Sequence, residues 1–113
     1  MNAIVYAFFP GKRGSDAKRD VESWYLYHWP AAVVAKLLPQ AGSVGRAVAC
    51  SARLLRERLP SAIEVVEAAA LSEETETAMD EAERLAWELR DFVRQCEAHE
   101  QLSGQETLIR ALG

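Results

Sequence analysis

Residues 3–9, Ala-Ile-Val-Tyr-Ala-Phe-Phe, are apolar at every position, which predicts a strand buried on both of its alternating faces. Pro10 and Gly11 end it, and Ser15 or Asp16 can cap a helix that follows. That helix is expected to run to His28, with Ala17, Val21, Trp24, Tyr25 and His28 on its apolar face and Lys18, Arg19 and Glu22 toward water. Pro30 lacks a backbone N–H and disfavours helical angles at Trp29, so the helix is expected to stop or kink there. A further short helix is expected over residues 31–38, closed by Pro39-Gln40-Ala41-Gly42.

Residues 44–55 read as a second strand and residues 56–60 as a loop. Residues 62–71 read as a third strand, Ile63 and Val65 on one face and Val66, Ala68 and Ala70 on the other. Alanines form strands poorly, which leaves a helical alternative open there. Ser72 is placed to cap a long amphipathic helix over residues 73–101, in which Met79, Ala82, Ala86, Leu89, Val93 and Cys96 repeat at steps of three and four. Gly104 is placed to stop it. Residues 105–112 alternate, Thr107, Ile109 and Ala111 against Leu108, Arg110 and Leu112, and read as a last strand, suited to an edge.

The order β-α-β-β-α-β predicts an α+β, ferredoxin-like sandwich. No linker or repeat divides it, so residues 1–113 are expected to form a single domain. Two helices cover one face of such a sheet, yet its first three strands carry apolar residues on both faces. The second cover is most simply another copy of the chain, which predicts a homodimer joined through sheet faces around a barrel-like centre.

Composition changes this picture little. No apolar run approaches the ~20 residues that span a bilayer, and the N-terminus lacks the basic start of a signal peptide, so a cytoplasmic protein without membrane or nucleic-acid partners is expected. The net charge is −4, but unevenly spread: residues 1–60 carry nine Lys/Arg against four Asp/Glu, and residues 61–113 four against thirteen. Most of those acids fall in the long helix, which predicts a solvated acidic face. Cys50 and Cys96 lack metal-ligand or C-x-x-C spacing and are expected to be buried, reduced thiols. Neither a metal site nor a cofactor motif is present.

Candidate chemistry centres on W-x3-H-x-P: Trp24, His28 and Pro30, within the aromatic run Trp24, Tyr25, Tyr27, Trp29. A histidine with an ordinary pKa near 6.5 suits proton transfer at neutral pH. In the helical reading Tyr25, rather than Tyr27, shares its face. His28 and Tyr25 are therefore the candidate catalytic pair, and Tyr6, Phe8, Trp24 and Trp29 the candidate walls of a substrate pocket, Tyr6 lending a hydroxyl from the helix side of the sheet. The competing readings are structural: a histidine that caps the last helical carbonyls, and aromatics that fill a core. Glu64 and Glu67, on opposite faces of the expected third strand, read as ion-pair partners of Arg46 or Arg53, and His99 reads as a surface residue.

These residues carry a family resemblance. Trp24-x3-His28-x-Pro30, then Val33-Val34-x-Lys36-Leu37 and the turn at Gly42, resembles the EthD-like family of the dimeric α+β barrel superfamily. The resemblance implies a ferredoxin-like protomer, a sheet-to-sheet dimer and a pocket between sheet and helices. It further implies a small-molecule-binding protein: a cofactor-free enzyme of the oxidoreductase or isomerase/cyclase kind, or a catabolic accessory, acting on a small apolar carbonyl or aromatic compound with His28 as acid/base or orienting group. The alternatives are a non-catalytic module for an apolar ligand or haem, and a purely structural dimer.

Overall fold

The computed structural model describes residues 2–9, 25–39 and 46–112. In chain order these form β1 (Asn2–Phe8), β2 (Tyr25–Pro30), α1 (Ala31–Leu37), β3 (Val48–Cys50), α2 (Ala52–Glu73), α3 (Glu76–Ser103) and β4 (Thr107–Leu112). The fold is α+β: a four-stranded antiparallel sheet in the order β2-β1-β4-β3, packed against two long helices.

β1 and β4 follow their alternation. Ala3, Val5 and Ala7 of β1 and Thr107, Ile109 and Ala111 of β4 are buried on one face, and the intervening residues point to the other. β4 pairs with β1 on one side and β3 on the other, so it is central rather than an edge. The buried face meets Leu37, Leu55, Leu89, Phe92, Val93 and Cys96 of the helices in one core. Cys50 and Cys96 are both buried free thiols, as their apolar surroundings predict.

Three expectations from the sequence change. Residues 25–30 form a strand, not the end of a helix; the part of that helix before Tyr25, including Trp24, lies outside the described residues. Pro30 does not break a helix but closes β2 and stands at the N-cap of α1, where a missing N–H costs nothing. Only Val48–Cys50 of the expected second strand is extended, and the expected third strand is helical.

The reason lies in one continuous stripe. Ala52, Leu55, Leu59, Ala62, Ile63, Val66 and Ala70 recur at helical spacing, and all but the half-buried Leu59 are buried. Pro60 interrupts this stripe in the sequence, but not in the structure. It is exposed, so the carbonyl one turn earlier that it leaves without a donor can be reached by water. Pro60→Ala is accordingly expected to raise stability by about 2–3 kcal/mol. A urea midpoint that stays put or falls would return Pro60 to a loop.

Glu74, at φ 50°, and Thr75 turn α2 into α3. Thr75, not Ser72, caps α3: its hydroxyl accepts from the Ala78 N–H at 3.1 Å, while the Ser72 hydroxyl donates to the Ala69 carbonyl. Gly104 ends α3 as predicted, in the left-handed region at φ 72° with its N–H donated to the Glu100 carbonyl. At the other end of the hairpin the Glu100 carboxylate accepts from the Ala52 N–H at 3.0 Å, placing negative charge on the N-terminus of α2, and Arg56 pairs with Glu97.

Candidate functional site

The register of the sheet sorts the candidate residues. His28 pairs with Ile4, which pairs with Leu112; Leu26 pairs with Tyr6, which pairs with Arg110; Phe8 pairs with Leu108, which pairs with Ala49. Directly paired residues point to the same side of a sheet. These three rows therefore make one face, opposite the core, and none of their residues is buried. Ile4, Tyr6, Phe8, Leu108 and Leu112 are half-buried, while Leu26 is 53% exposed and His28 and Arg110 are also exposed. Arg110 has no carboxylate partner among the described residues. The face is a layer of aliphatic and aromatic side chains with a phenol, a guanidinium and an imidazole set into it.

This arrangement separates residues that the helical reading joined. Tyr25 and Tyr27 pair with Ala7 and Val5, on the core side, so neither shares a face with His28. Residues three apart on a helix are neighbours, but on a strand they point to opposite sides. Tyr6 and Phe8 do share the face of His28, but that face points away from the helices, so Tyr6 lends its hydroxyl to no sheet–helix pocket. Trp29 is fully buried beneath α3. Its ring stacks on Tyr27 at 4.8 Å and meets Phe92 edge-on at 5.1 Å, and its Nε1–H donates to Glu88 Oε1 at 2.8 Å. It is a core residue. Trp24 lies outside the described residues.

The helix side of the sheet is filled rather than hollow at these positions. Tyr27, wedged between Trp29 and Phe92, has its phenol pushed up to about 12 by burial first and then by nearby Cys96, Glu88 and Asp91. A cavity of about 380 Å³ does open between the helices and the start of the sheet, lined by Asn2, Pro30, Val33, Val66, Glu73 and Leu85 among others, but none of the five described candidate residues, Tyr6, Phe8, Tyr25, His28 and Trp29, lines it.

The expectation of a surface position for His99 also changes. His99 is half-buried in α3 and stacks on Phe9 at 4.9 Å, and Phe9 also meets Tyr25 edge-on at 5.3 Å. Its Nδ1 is buried without a hydrogen-bond partner among the described residues. Nothing in the spacing of residues near His99 signals a ring 90 positions earlier in the chain. Glu64 and Glu67 are exposed on α2, and Arg53 reaches Glu57 one turn on instead of either.

Among the described residues, no group of three or more His, Cys, Asp or Glu side chains could hold a metal ion, and no helix is long and apolar enough to cross a membrane. The sequence matches no protein-family model, no curated protein and no solved structure.

Proposed function

We propose that the protein works as a homodimer closed sheet to sheet, in the manner of the EthD-like dimeric α+β barrels, and binds a small apolar carbonyl or aromatic compound beside His28. The observation that carries this reading is the apolar sheet face opposite the core, with His28, Tyr6 and Arg110 set into it. An antiparallel sheet with one solvated face normally alternates apolar and polar residues. Here three of the four outer positions of β1 are Ile4, Tyr6 and Phe8, the fourth being Asn2 at the strand's start.

The face is complementary to itself. Tyr6 and Arg110 lie side by side on the two central strands. A two-fold axis parallel to the strands between them sets the guanidinium of each copy over the Tyr6 ring of the other, a cation–π contact that removes the need for a carboxylate. Three strands about 20 Å long and the short β3, about 10 Å, spaced about 4.8 Å apart, give a footprint of about 350 Å² per copy, which predicts a weak dimer, micromolar rather than nanomolar. The ligand then lies between Leu26, Ile4 and the partner sheet. The His28 imidazole orients its polar atom or exchanges a proton with it, as a cofactor-free oxidoreductase or isomerase would require. Two buried reduced thiols suit a cytoplasmic place of action.

Light scattering at tens of micromolar is expected to give twice the 12.5 kDa chain mass, falling toward the single mass on dilution. Leu26→Lys, at a half-exposed position on an edge strand, is expected to leave a folded monomer. A wild-type chain that is monomeric throughout would sink the proposal. Benzaldehyde titrated into the dimer is expected to shift the His28 ring signals in NMR. A dimer whose His28 ignores it would leave the assembly purely structural.

A further inference from the structure

The second uncovered apolar surface lies on the helical hairpin, far in character from the His28 face. Leu71 of α2 and Met79 and Trp87 of α3 are 67%, 53% and 62% exposed, although each is large and apolar. They line one groove of about 580 Å³ between the helices, together with Ala70, Ala82 and Ala86. Met79 belongs to the heptad stripe of α3, whose later members Ala86, Leu89, Val93 and Cys96 are buried. The stripe thus begins outside the core. Ala70 and Ala86 are buried and Ala82 half-buried, so the floor of the groove is made of methyl groups and its walls of the large side chains. A small-residue floor lets another backbone approach closely, and large flanking side chains then grip it.

The groove runs along α3 from Met79 to Arg90, about 16 Å at 1.5 Å per residue. That length suits three turns of a helix with apolar anchors at i, i+3 or i+4, and i+7. Its charge selects the occupant. Residues 61–90 carry nine carboxylates and two cations, Arg84 and Arg90, a net charge of −7; Glu67 and Glu83 stand on the groove walls and Arg90 at its far end. Eight of the nine carboxylates belong to exposed residues, and the ninth, Glu88, is half-buried. A second copy of the same hairpin would bring a second −7 against the first, and an anionic lipid surface would be repelled likewise. We infer that this groove is a docking site for an amphipathic helix of another protein, apolar on the face it inserts and basic on its flanks. Its anchors replace water over Leu71, Met79 and Trp87, and its lysines or arginines reach the carboxylates of the rim.

The inference is independent of the sheet-face dimer, and its test uses the full chain. Two synthetic 14-residue helical peptides share one leucine pattern; the polar face is lysine in the first and glutamate in the second. Calorimetry at low salt is expected to show the lysine peptide binding at micromolar concentration and at least about tenfold more tightly than the glutamate peptide, the difference shrinking as salt is raised. The double variant Met79→Ala, Trp87→Ala alters only side chains that are more than half exposed, so its far-ultraviolet circular dichroism should match the wild type while its affinity falls at least about tenfold. Equal binding of the two peptides, undiminished binding by the double variant, or no binding of the lysine peptide at 100 μM would each overturn the inference. So would a higher oligomer of the wild type that Trp87→Ala dissolves, which would make a second copy the occupant.

Discussion

Trp29→Ala is expected to remove about 4 kcal/mol of folding stability, within the ~3–5 kcal/mol range of buried Trp truncations. The residue is fully buried, its ring is held between Tyr27 and Phe92, and its one polar atom is satisfied by Glu88. Truncation leaves a cavity bounded by two other rings and by α3, and strands the Glu88 carboxylate. Against a total stability of about 5–15 kcal/mol, that loss moves a urea midpoint by about 2 M. Trp29→Phe keeps most of the ring contact and should cost about 1–2 kcal/mol. The experiment separates two roles for the same residue. A tryptophan lining a ligand pocket can be truncated with little loss of stability and a large loss of binding; a core tryptophan shows the reverse. A Trp29→Ala protein as stable as the wild type would restore the residue to a pocket.

Trp29 also shows where the sequence is readable and where it is not. Its neighbourhood, W-x3-H-x-P, is aromatic enough to satisfy either a helix of period 3.6 or a strand of period 2, and each reading gives His28 different companions. The choice between them depends on pairing with β1, a contact more than 20 residues away that no local pattern encodes. Ile4, Tyr6 and Phe8 sit together on one strand face in the sequence and in the structure, because alternation along an isolated strand is a local property. Which side the helices take is not local, and Tyr6 was expected on the wrong one. α3 was legible almost to its ends, since 28 residues supply many repeats of the stripe and Gly104 supplies the stop. α2 was hidden because Pro60 splits its stripe, and each half, read alone, fits a strand. The apolar outer face of β1, Ile4, Tyr6 and Phe8, was legible. The groove over Trp87 was not, because its other wall, Glu67, Ala70 and Leu71, belongs to the segment that reads as a strand and is helical.

The second large effect is expected at alkaline pH. Burial pushes the Cys96 thiol up to about 12, against the Thr107 hydroxyl, which favours the thiolate; burial also pushes Cys50 up to about 11, and nearby Glu106 adds to that. In the unfolded chain both thiols return to ordinary values near 9. Below that pH both states hold the proton and neither thiol makes stability depend on pH. Above it the unfolded chain releases protons that the folded chain retains, so stability falls by about 1.4 kcal/mol per pH unit and per thiol, until the pH reaches the folded value. Cys96 alone thus removes about 2 kcal/mol between pH 9 and pH 11. Tyr27, pushed up to about 12, adds to the fall from pH 10 upward. Urea unfolding with a reductant present should show stability level from pH 7 to 9 and then dropping steeply. Cys96→Val replaces the thiol by a side chain of similar size that cannot ionise, and should cost about 1.5 kcal/mol or less at pH 7. Its stability should then decline less steeply above pH 9, by about 1.4 kcal/mol per pH unit, so that the two curves converge and cross. Parallel curves would mean that Cys96 ionises as readily in the folded protein as in the unfolded chain. The core at the meeting of α3 with β3 and β4 would then be open to water, and the packing that fixes which sheet face is buried would not hold.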